Sequence, residues 1–412
     1  MEQREFVVMV KPIGSLCNMR CSYCYYLQAD NGRAPMQCME EDILEAFIRN
    51  YCQSAAGEVI SFTWHGGEPT LAGLPFYQKA VALEKRYCPP GKQVWNSLQT
   101  NGLLLDEEWA DFLAKEQFDV GISIDGAEWL HDLHRRDGAG AGTYQKTAEA
   151  IRCLQERGIQ PDLLCTVTEE TAQNGVETYQ ALKEFGTGWI QFIPIVIQTA
   201  EEKSVGSASY GEFLKDVFAQ WFFHDMGRQH VQLFDEVALA LAGGEPRLCN
   251  LQEICGNVLV VERDGGVYSC DHFVDQAHLI GNIKNERLAD LLQSKRQTEF
   301  ARGKKEGLTQ ECLACPWLRI CRGGCPKDRF VTSGEGEKGH FYLCEGIRSF
   351  LSYAEPRLKR AMEFSRQGVA GEEIMRRMAE EERQSFRKIN RNSLCPCGSG
   401  RKAKNCCLKR LP

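Results

Sequence analysis

Fifteen of the twenty cysteines in this 412-residue chain fall in three short stretches: three within residues 17–24, eight within 249–344 and four within 395–407. The N-terminus, MEQREFVVMVKPIG, mixes charge into its first residues and shows no export signal, so the expected compartment is the cytoplasm. In that reducing setting clustered thiols point to metal binding or redox chemistry rather than to structural disulfides. The five dispersed cysteines, Cys38, Cys52, Cys88, Cys153 and Cys165, read as small core or surface side chains. With 43% hydrophobic and 25% charged residues the chain is a folded globular protein of two or three domains. Its longest apolar runs, such as WIQFIPIVI at 189–197, fall well short of the roughly 20 residues that cross a bilayer, so no membrane partner is expected.

Charge is uneven. The net charge of −7 gives no reason to expect sequence-specific nucleic acid binding, yet the stretch from Arg357 onward holds 15 basic against 6 acidic residues on an otherwise acidic body. Such a tail suits either an anionic partner or a solvated helical face.

The first cysteine group, CNMRCSYCYY, places Cys17, Cys21 and Cys24 directly after the apolar run FVVMV. Four irons in a cubane normally take four thiolates, so three ligands leave one iron open, and an open site is a mark of catalysis. A zinc knuckle is the bland alternative. Downstream, apolar alternation predicts strands at about 6–12, 59–65, 93–99, 119–124, 160–168 and 188–196. Helical patterns lie between and after them, at about 40–51, 74–86, 106–116, 144–157, 175–186 and 210–224. Six βα units predict a barrel or an open sheet with ligands at the C-terminal ends of its strands.

Polar turns follow those strands. HGGEPT offers Gly66 and Gly67 for close backbone approach to a ligand and Glu68 as an acceptor for an ammonium group. QTNG offers Gln99 and Asn101, and SIDG offers Ser123 and Asp125 for ribose hydroxyls. Each alone is commonly just a turn. The run from His131 to Arg136 neutralises a ligand carboxylate or forms a solvated loop.

The C-x3-C-x2-C spacing and the GGE turn resemble the radical S-adenosylmethionine (SAM) enzymes, whose open iron chelates the amino and carboxylate groups of SAM. That resemblance implies an α/β partial (β/α)6 TIM-type barrel over residues 1–230, with Tyr23, Gly66, Gly67, Glu68, Gln99, Asn101, Ser123, Asp125 and Arg135 around SAM. The second group resembles the SPASM domain, expected over 231–355, and implies two auxiliary [4Fe-4S] clusters. By this likeness Cys249, Cys255, Cys270 and Cys325 hold one, and Cys312, Cys315, Cys321 and Cys344 the other, three clusters in all.

Within these families the chain is similar to the anaerobic sulfatase-maturating enzymes over residues 5–355, on CNMRCSYCYY, FTWHGGEPTL, QTNG, SIDG and CDHFV. The likeness implies an oxidoreductase that converts an active-site Cys or Ser of an unfolded or nascent sulfatase to Cα-formylglycine, using electrons from a donor such as ferredoxin or flavodoxin. SAM cleavage yields a 5′-deoxyadenosyl radical that takes a Cβ hydrogen; Asp271 takes the thiol or hydroxyl proton, and an auxiliary cluster takes the remaining electron. Asp271 lies beside an anionic cluster, so a raised pKa is expected; a turn cap is its alternative role. Tyr26 and His65 are candidate peptide contacts. Another SPASM peptide maturase, for example a thioether-forming one, and a non-catalytic iron–sulfur adaptor are the competing readings.

Residues 356–390 read as an amphipathic linker helix with Leu358, Met362, Ile374, Met378 and Phe386 on its apolar side. Beyond it, Cys395, Cys397, Cys406 and Cys407 surround a GSG turn in a segment too short to bury a core, which suits a closed zinc site over 391–412. This segment resembles the SEC-C motif of the SecA translocation ATPase. The basic residues Arg401, Lys402, Lys404, Lys409 and Arg410 frame it, and the likeness implies contact with the SecB chaperone or ribosomes.

Overall fold

The computed structural model describes residues 6–24, 26, 38–199, 203–395 and 400–411. Strands and helices alternate through the first half: β1 (Val7–Lys11), α1 (Glu41–Ser54), β2 (Val59–Trp64), α2 (Leu74–Tyr87), β3 (Gln93–Thr100), α3 (Glu107–Lys115), β4 (Asp119–Ser123), α4 (Glu128–His134), α5 (Tyr144–Gln155), β5 (Asp162–Val167), α6 (Glu169–Gln173), α7 (Gly175–Lys183), β6 (Trp189–Pro194) and α8 (Ser207–Gln220). The six expected strands lie within two residues of their predicted ends. There follow β7 (His230–Val231), α9 (Gln232–Leu241), β8 (Val258–Glu262), β9 (Gly266–Tyr268), β10 (Leu279–Asn282), α10 (Leu288–Leu292), α11 (Lys295–Glu306), α12 (Gln310–Leu313), α13 (Leu318–Cys321), β11 (Arg329–Thr332), β12 (Lys338–Phe341), α14 (Cys344–Arg366) and α15 (Gly371–Phe386).

The chain forms two compact units: one takes residues 1–124, 131–164 and 253–307, the other 125–130, 165–252 and 308–412. In the first unit β1 to β4 and the start of β5 pair in parallel, with Met9 beside Thr63, Thr63 beside Ser97, Leu98 beside Val120 and Ile122 beside Leu163. Val8, Ile60, Phe62, Trp64, Leu98 and Ile122 are fully buried, while the alternate residues Thr63, Ser97, Gln99 and Ser123 are only half-buried on the opposite face. Residues 253–307 join this unit because β8 runs parallel to the free edge of β1, pairing Glu262 with Lys11, and β9 and β10 extend it antiparallel. The segment after β9 places Asp271 against Lys11, the last residue of β1.

Behind the sheet, Trp64 Nε1 donates to Asn96 Oδ1 at 2.8 Å, and Asn96 Nδ2 donates to Glu84 Oε2 at 2.8 Å. Burial pushes the Glu84 carboxyl up to about 7, because one amide donor does not replace the lost water. A carboxyl whose folded pKa exceeds its unfolded value makes the native state bind the extra proton. Stability should therefore fall by roughly 1.4 kcal/mol per pH unit between the unfolded pKa and about 7. Glu84→Gln is expected to flatten that slope and to raise the thermal midpoint above pH 7; an unchanged midpoint-against-pH curve would refute the assignment.

In the second unit α8 packs on α14, and glycine makes this possible. A β-carbon on Gly346 would lie 2.0 Å from the Ser207 carbonyl oxygen, and one on Gly211 would lie 2.6 Å from Gly346 Cα. Phe218, Phe234, Phe350 and Tyr353 fill the contact beside them, with Phe218 and Phe234 ring centroids 5.2 Å apart. The expected linker helix is two helices, because Gly368 takes a left-handed conformation (φ 77°) between α14 and α15. Leu358, Ile374, Met378 and Phe386 are buried as expected, and Met362 is half-buried. No described helix is long and apolar enough to cross a membrane.

Candidate active site and metal centres

The loop after β1 and the turn after β2 are one construction. Gly67 N donates to the Gly14 carbonyl and Glu68 N to the Leu16 carbonyl, both at 2.8 Å. Gly67 is therefore needed for approach to the loop that carries Cys17, and the expected role of these glycines toward a ligand's backbone contact is joined by this structural one. Glu68 is recast more sharply. Its carboxylate is 1% exposed and accepts from Thr70 N (3.0 Å), Thr70 Oγ1 (2.6 Å), Thr100 Oγ1 (2.7 Å) and Asn101 N (2.8 Å). Four protein donors already engage the group that was expected to accept from an ammonium, so it acts as a strut between the turns after β2 and β3.

Asn101 extends the strut: its Nδ2 donates to Asn18 Oδ1 at 2.8 Å and lies 3.8 Å from Cys17 Sγ, which also accepts from Met19 N at 3.3 Å. Burial pushes the Cys17 thiol up to about 11, with Glu68, Cys21 and Cys24 adding to the rise. Three thiols whose charges repel one another, one already receiving N–H donors, fit the ligand set of a cationic iron cluster. Gln99 Nε2 donates to Ser123 Oγ at 3.1 Å on the half-buried face of the sheet. Asp125 lies in the second unit, where its carboxylate caps the Thr166 amide at 2.8 Å.

The run His131 to Arg136 is not simply a solvated loop. His131 is fully buried with Nε2 3.0 Å from Thr143 Oγ1, and Arg135 is 8% exposed with its guanidinium over the Tyr23 ring at 5.6 Å. Arg20 N and Ser22 N donate to the Arg136 and His134 carbonyls, so this run walls the cluster loop. Tyr23 and Arg135 thus support each other beside Cys24.

Asp271 departs from expectation. Lys11, 1% exposed at the end of β1, places Nζ 2.6 Å from Asp271 Oδ1 and 3.6 Å over the Tyr26 ring. Burial raises the Asp271 pKa, but the Lys11 ammonium overrides it and holds the carboxyl well below the usual range. The expected rise ignored this cation. Tyr26 also donates to Glu262, which the β1–β8 register sets beside Lys11. His65 Nδ1 accepts from Gly66 N at 2.7 Å, so the neutral ring, favoured by burial and Lys11, carries its hydrogen on Nε2. Sequence reading missed Lys11 and Glu262, although a lysine closing the apolar strand VVMVK was a visible signal.

In the second unit Cys312, Cys315, Cys321 and Cys344 line one cavity with His340 and Trp317. Burial raises Cys321 to about 11 and Cys344 to about 12, each helped by neighbouring thiols. Arg322, Gly323 and Gly324 all have positive φ, and the amides of Gly323 and Gly324 favour the Cys321 thiolate. Four thiols, one in an amide nest, fit a fully ligated cluster. His340 Nδ1, unremarked in the sequence, lies 3.7 Å from Cys312 Sγ and 2.9 Å from Thr309 Oγ1. Burial raises the Cys325 thiol, with Cys249 of the same unit adding to the rise, while Cys255 and Cys270 lie in the first unit. Of the dispersed cysteines, Cys52 and Cys165 are buried and Cys38, Cys88 and Cys153 half-buried.

At the C-terminus the sulfurs of Cys395, Cys406 and Cys407 lie within 4.8 Å of one another and are buried. A tetrahedral ion with sulfur ligands at about 2.3 Å needs sulfurs about 3.8 Å apart, so they fit one ion. Cys397 lies outside the described residues. Three of the framing cations meet carboxylates of α8: Arg401 and Arg410 pair with Glu212, and Lys409 and Arg410 with Asp216.

Comparison with known proteins agrees with this construction. Residues 12–182 match the radical SAM superfamily, 249–316 an iron–sulfur cluster-binding SPASM domain and 391–409 the SEC-C motif. The chain is 36% identical over 370 residues to a serine-type anaerobic sulfatase-maturating enzyme of Bacteroides thetaiotaomicron, covering 85% of this chain and 89% of that protein. It is 33% identical over 360 residues to a cysteine-type enzyme of Clostridium perfringens, covering 85% and 96%. The solved structure of native anSMEcpe with bound AdoMet and Cp18Cys peptide matches at TM-score 0.79 and 32% identity, covering 86% of this chain and 98% of that one. A cysteine-bearing loop braced by Gly67, Glu68 and Asn101, an acid held beside it by Lys11, and likeness at this identity over most of the length make this chain a member of the anaerobic sulfatase-maturating enzymes of the radical SAM superfamily.

Proposed function

We propose that the protein oxidises an active-site Cys or Ser of a sulfatase polypeptide to Cα-formylglycine, with Asp271 as the base. The buried Lys11–Asp271 pair at the end of β1 carries this reading. Cys17, Cys21 and Cys24 would hold the SAM-binding cluster, with Tyr23, Gln99, Asn101, Ser123, Asp125 and Arg135 as SAM contacts. Cys312, Cys315, Cys321 and Cys344 would hold an auxiliary cluster, and Cys395, Cys397, Cys406 and Cys407 a zinc ion. When bound, the first cluster and SAM supply the radical that removes the substrate's Cβ hydrogen, and the auxiliary clusters accept the remaining electron.

The chain's own residues handle the proton. Lys11 keeps Asp271 ionised, so the carboxylate can accept the hydrogen of a substrate thiol or hydroxyl. Loss of one hydrogen atom, one proton and one electron turns –CH2–SH into a thioaldehyde, which water hydrolyses to the aldehyde, or turns –CH2–OH into the aldehyde directly. Burial of Lys11 limits water around the pair. Tyr26 and His65 border the same pair and would orient the peptide. A ferredoxin or flavodoxin donor, a cytoplasmic location and contact of the tail with SecB or ribosomes complete the reading.

The test is anaerobic incubation of reconstituted protein, SAM and reductant with a peptide containing C-x-P-x-R and with its Ser counterpart, followed by mass spectrometry. Aldehyde formation, lost in Asp271→Asn while 5′-deoxyadenosine still forms, is the expected result. SAM cleavage with both peptides unchanged would overturn the sulfatase assignment.

A further inference from the structure

The C-terminal module ends in a short helical turn, Cys407–Arg410, that directs two cations at one face of α8. Arg410, its side chain only 3% exposed, places Nη2 2.7 Å from Glu212 and Nε 2.7 Å from Asp216. Lys409 reaches Asp216 at 3.2 Å and Arg401 reaches Glu212 at 2.7 Å. Glu212 and Asp216 stand four residues apart, hence on the same face of the helix. The Arg410 guanidinium also lies 6.0 Å from the Tyr353 ring on α14. Glu212 additionally pairs with Lys215, and burial, which raises its pKa, is outweighed by Lys215 and Arg410.

Exposed ion pairs contribute little, whereas a largely buried guanidinium bridging two carboxylates has definite geometry and is costly to break. The three cations are thus templated to two carboxylates one helical turn apart. That is a carboxylate-reading surface, and its present occupant belongs to the same chain.

We propose that the C-terminal module acts in cis as a clasp on the α8–α14 helix pair, and that a partner for its cations is an acidic helix that displaces Glu212 and Asp216. The inference goes beyond the sulfatase reading and does not rest on it. Arg410 reads two carboxylates one helical turn apart, the spacing that an acidic helix repeats, so a polypeptide is proposed over a nucleic acid.

Hydrogen exchange on the full chain tests the first part. Arg410→Glu and Asp216→Arg, each placing like charges together, are expected to raise exchange of residues 403–411 and 207–220 by about ten-fold or more. The double variant is expected to restore much of the protection, with residues 93–100 unchanged throughout as a control of folding. Unaltered exchange in both single variants, or a double variant no better protected than their sum, would overturn the clasp. Binding to poly-L-glutamate tests the second part. Asp216→Asn, which loosens the clasp, is expected to bind this probe several-fold more tightly than the native chain at about 0.1 M salt. Equal affinity, or tighter binding of both proteins to transfer RNA, would overturn the acidic-helix assignment.

Discussion

Replacing Lys11 with methionine is expected to abolish peptide oxidation while leaving SAM cleavage measurable. Lys11 lies 2.6 Å from Asp271 and has almost no contact with solvent, so its removal leaves a carboxylate without its principal cation. Breaking a buried pair from one side costs about 3–5 kcal/mol, because the remaining charge has neither water nor partner. The same loss frees the carboxylate from the position and charge that suit it to accept a proton, a contribution of roughly 10²–10⁴ in rate. The double variant Lys11→Met/Asp271→Asn separates these effects. It should recover most of the thermal stability lost by the single variant, since no charge is stranded, yet regain no turnover. Calorimetry and mass spectrometry of the product, run together, check both. Turnover of Lys11→Met within about two-fold of the native chain would remove Lys11 from the mechanism.

The second large effect is expected at Gly67. A β-carbon there would lie 2.2 Å from the Leu16 carbonyl oxygen and 2.6 Å from Ser15 backbone atoms. Backbone cannot rotate away as a side chain would, and relief would break the 2.8 Å bonds that Gly67 N and Glu68 N make to the cluster loop. Gly67→Ala should therefore displace the loop carrying Cys17 and abolish 5′-deoxyadenosine formation. The reconstituted protein should lose about a third of its iron, one cluster of the three proposed. Gly303→Ala in α11, where a β-carbon meets nothing within 4 Å, serves as the control and is expected to be neutral or stabilising by about 0.5–1 kcal/mol. Full iron content and normal SAM cleavage in Gly67→Ala would show that the turn can reshape.

These expectations differ in how far the sequence alone supported them. The strands of the first half were legible because half-buried strands alternate: β4, DVGIS, reads exposed, buried, half-buried, buried, half-buried along its five residues. Thiol spacing likewise pointed to the two iron–sulfur regions that the radical SAM and SPASM matches cover. Glu68 was legible as important, but its hydrogen bonds were not. A sequence shows that a carboxylate follows two glycines, but not that Thr70, Thr100 and Asn101 already occupy it.

Asp271 shows the same limit in electrostatics. Its neighbour Cys270 predicted repulsion and a raised pKa, yet the dominant charge, Lys11, is 260 positions away in sequence and arrives through parallel pairing of β8 with β1. The tail repeats the lesson with opposite sign. Arg401, Lys409 and Arg410 looked like an offer to an outside anion until Glu212 and Asp216 were seen to face them.

By itself, then, the sequence determined what depends on local period and local spacing: the βα alternation, the glycine turns, the three cysteine groups and the family they resemble. Tertiary structure decided what depends on which distant groups meet: the charge state of Asp271, the occupation of Glu68, the entry of residues 253–307 into the first sheet, and the direction in which the basic tail points. Side-chain periodicity is written along the chain, whereas the field at a buried charge is set by every element packed around it.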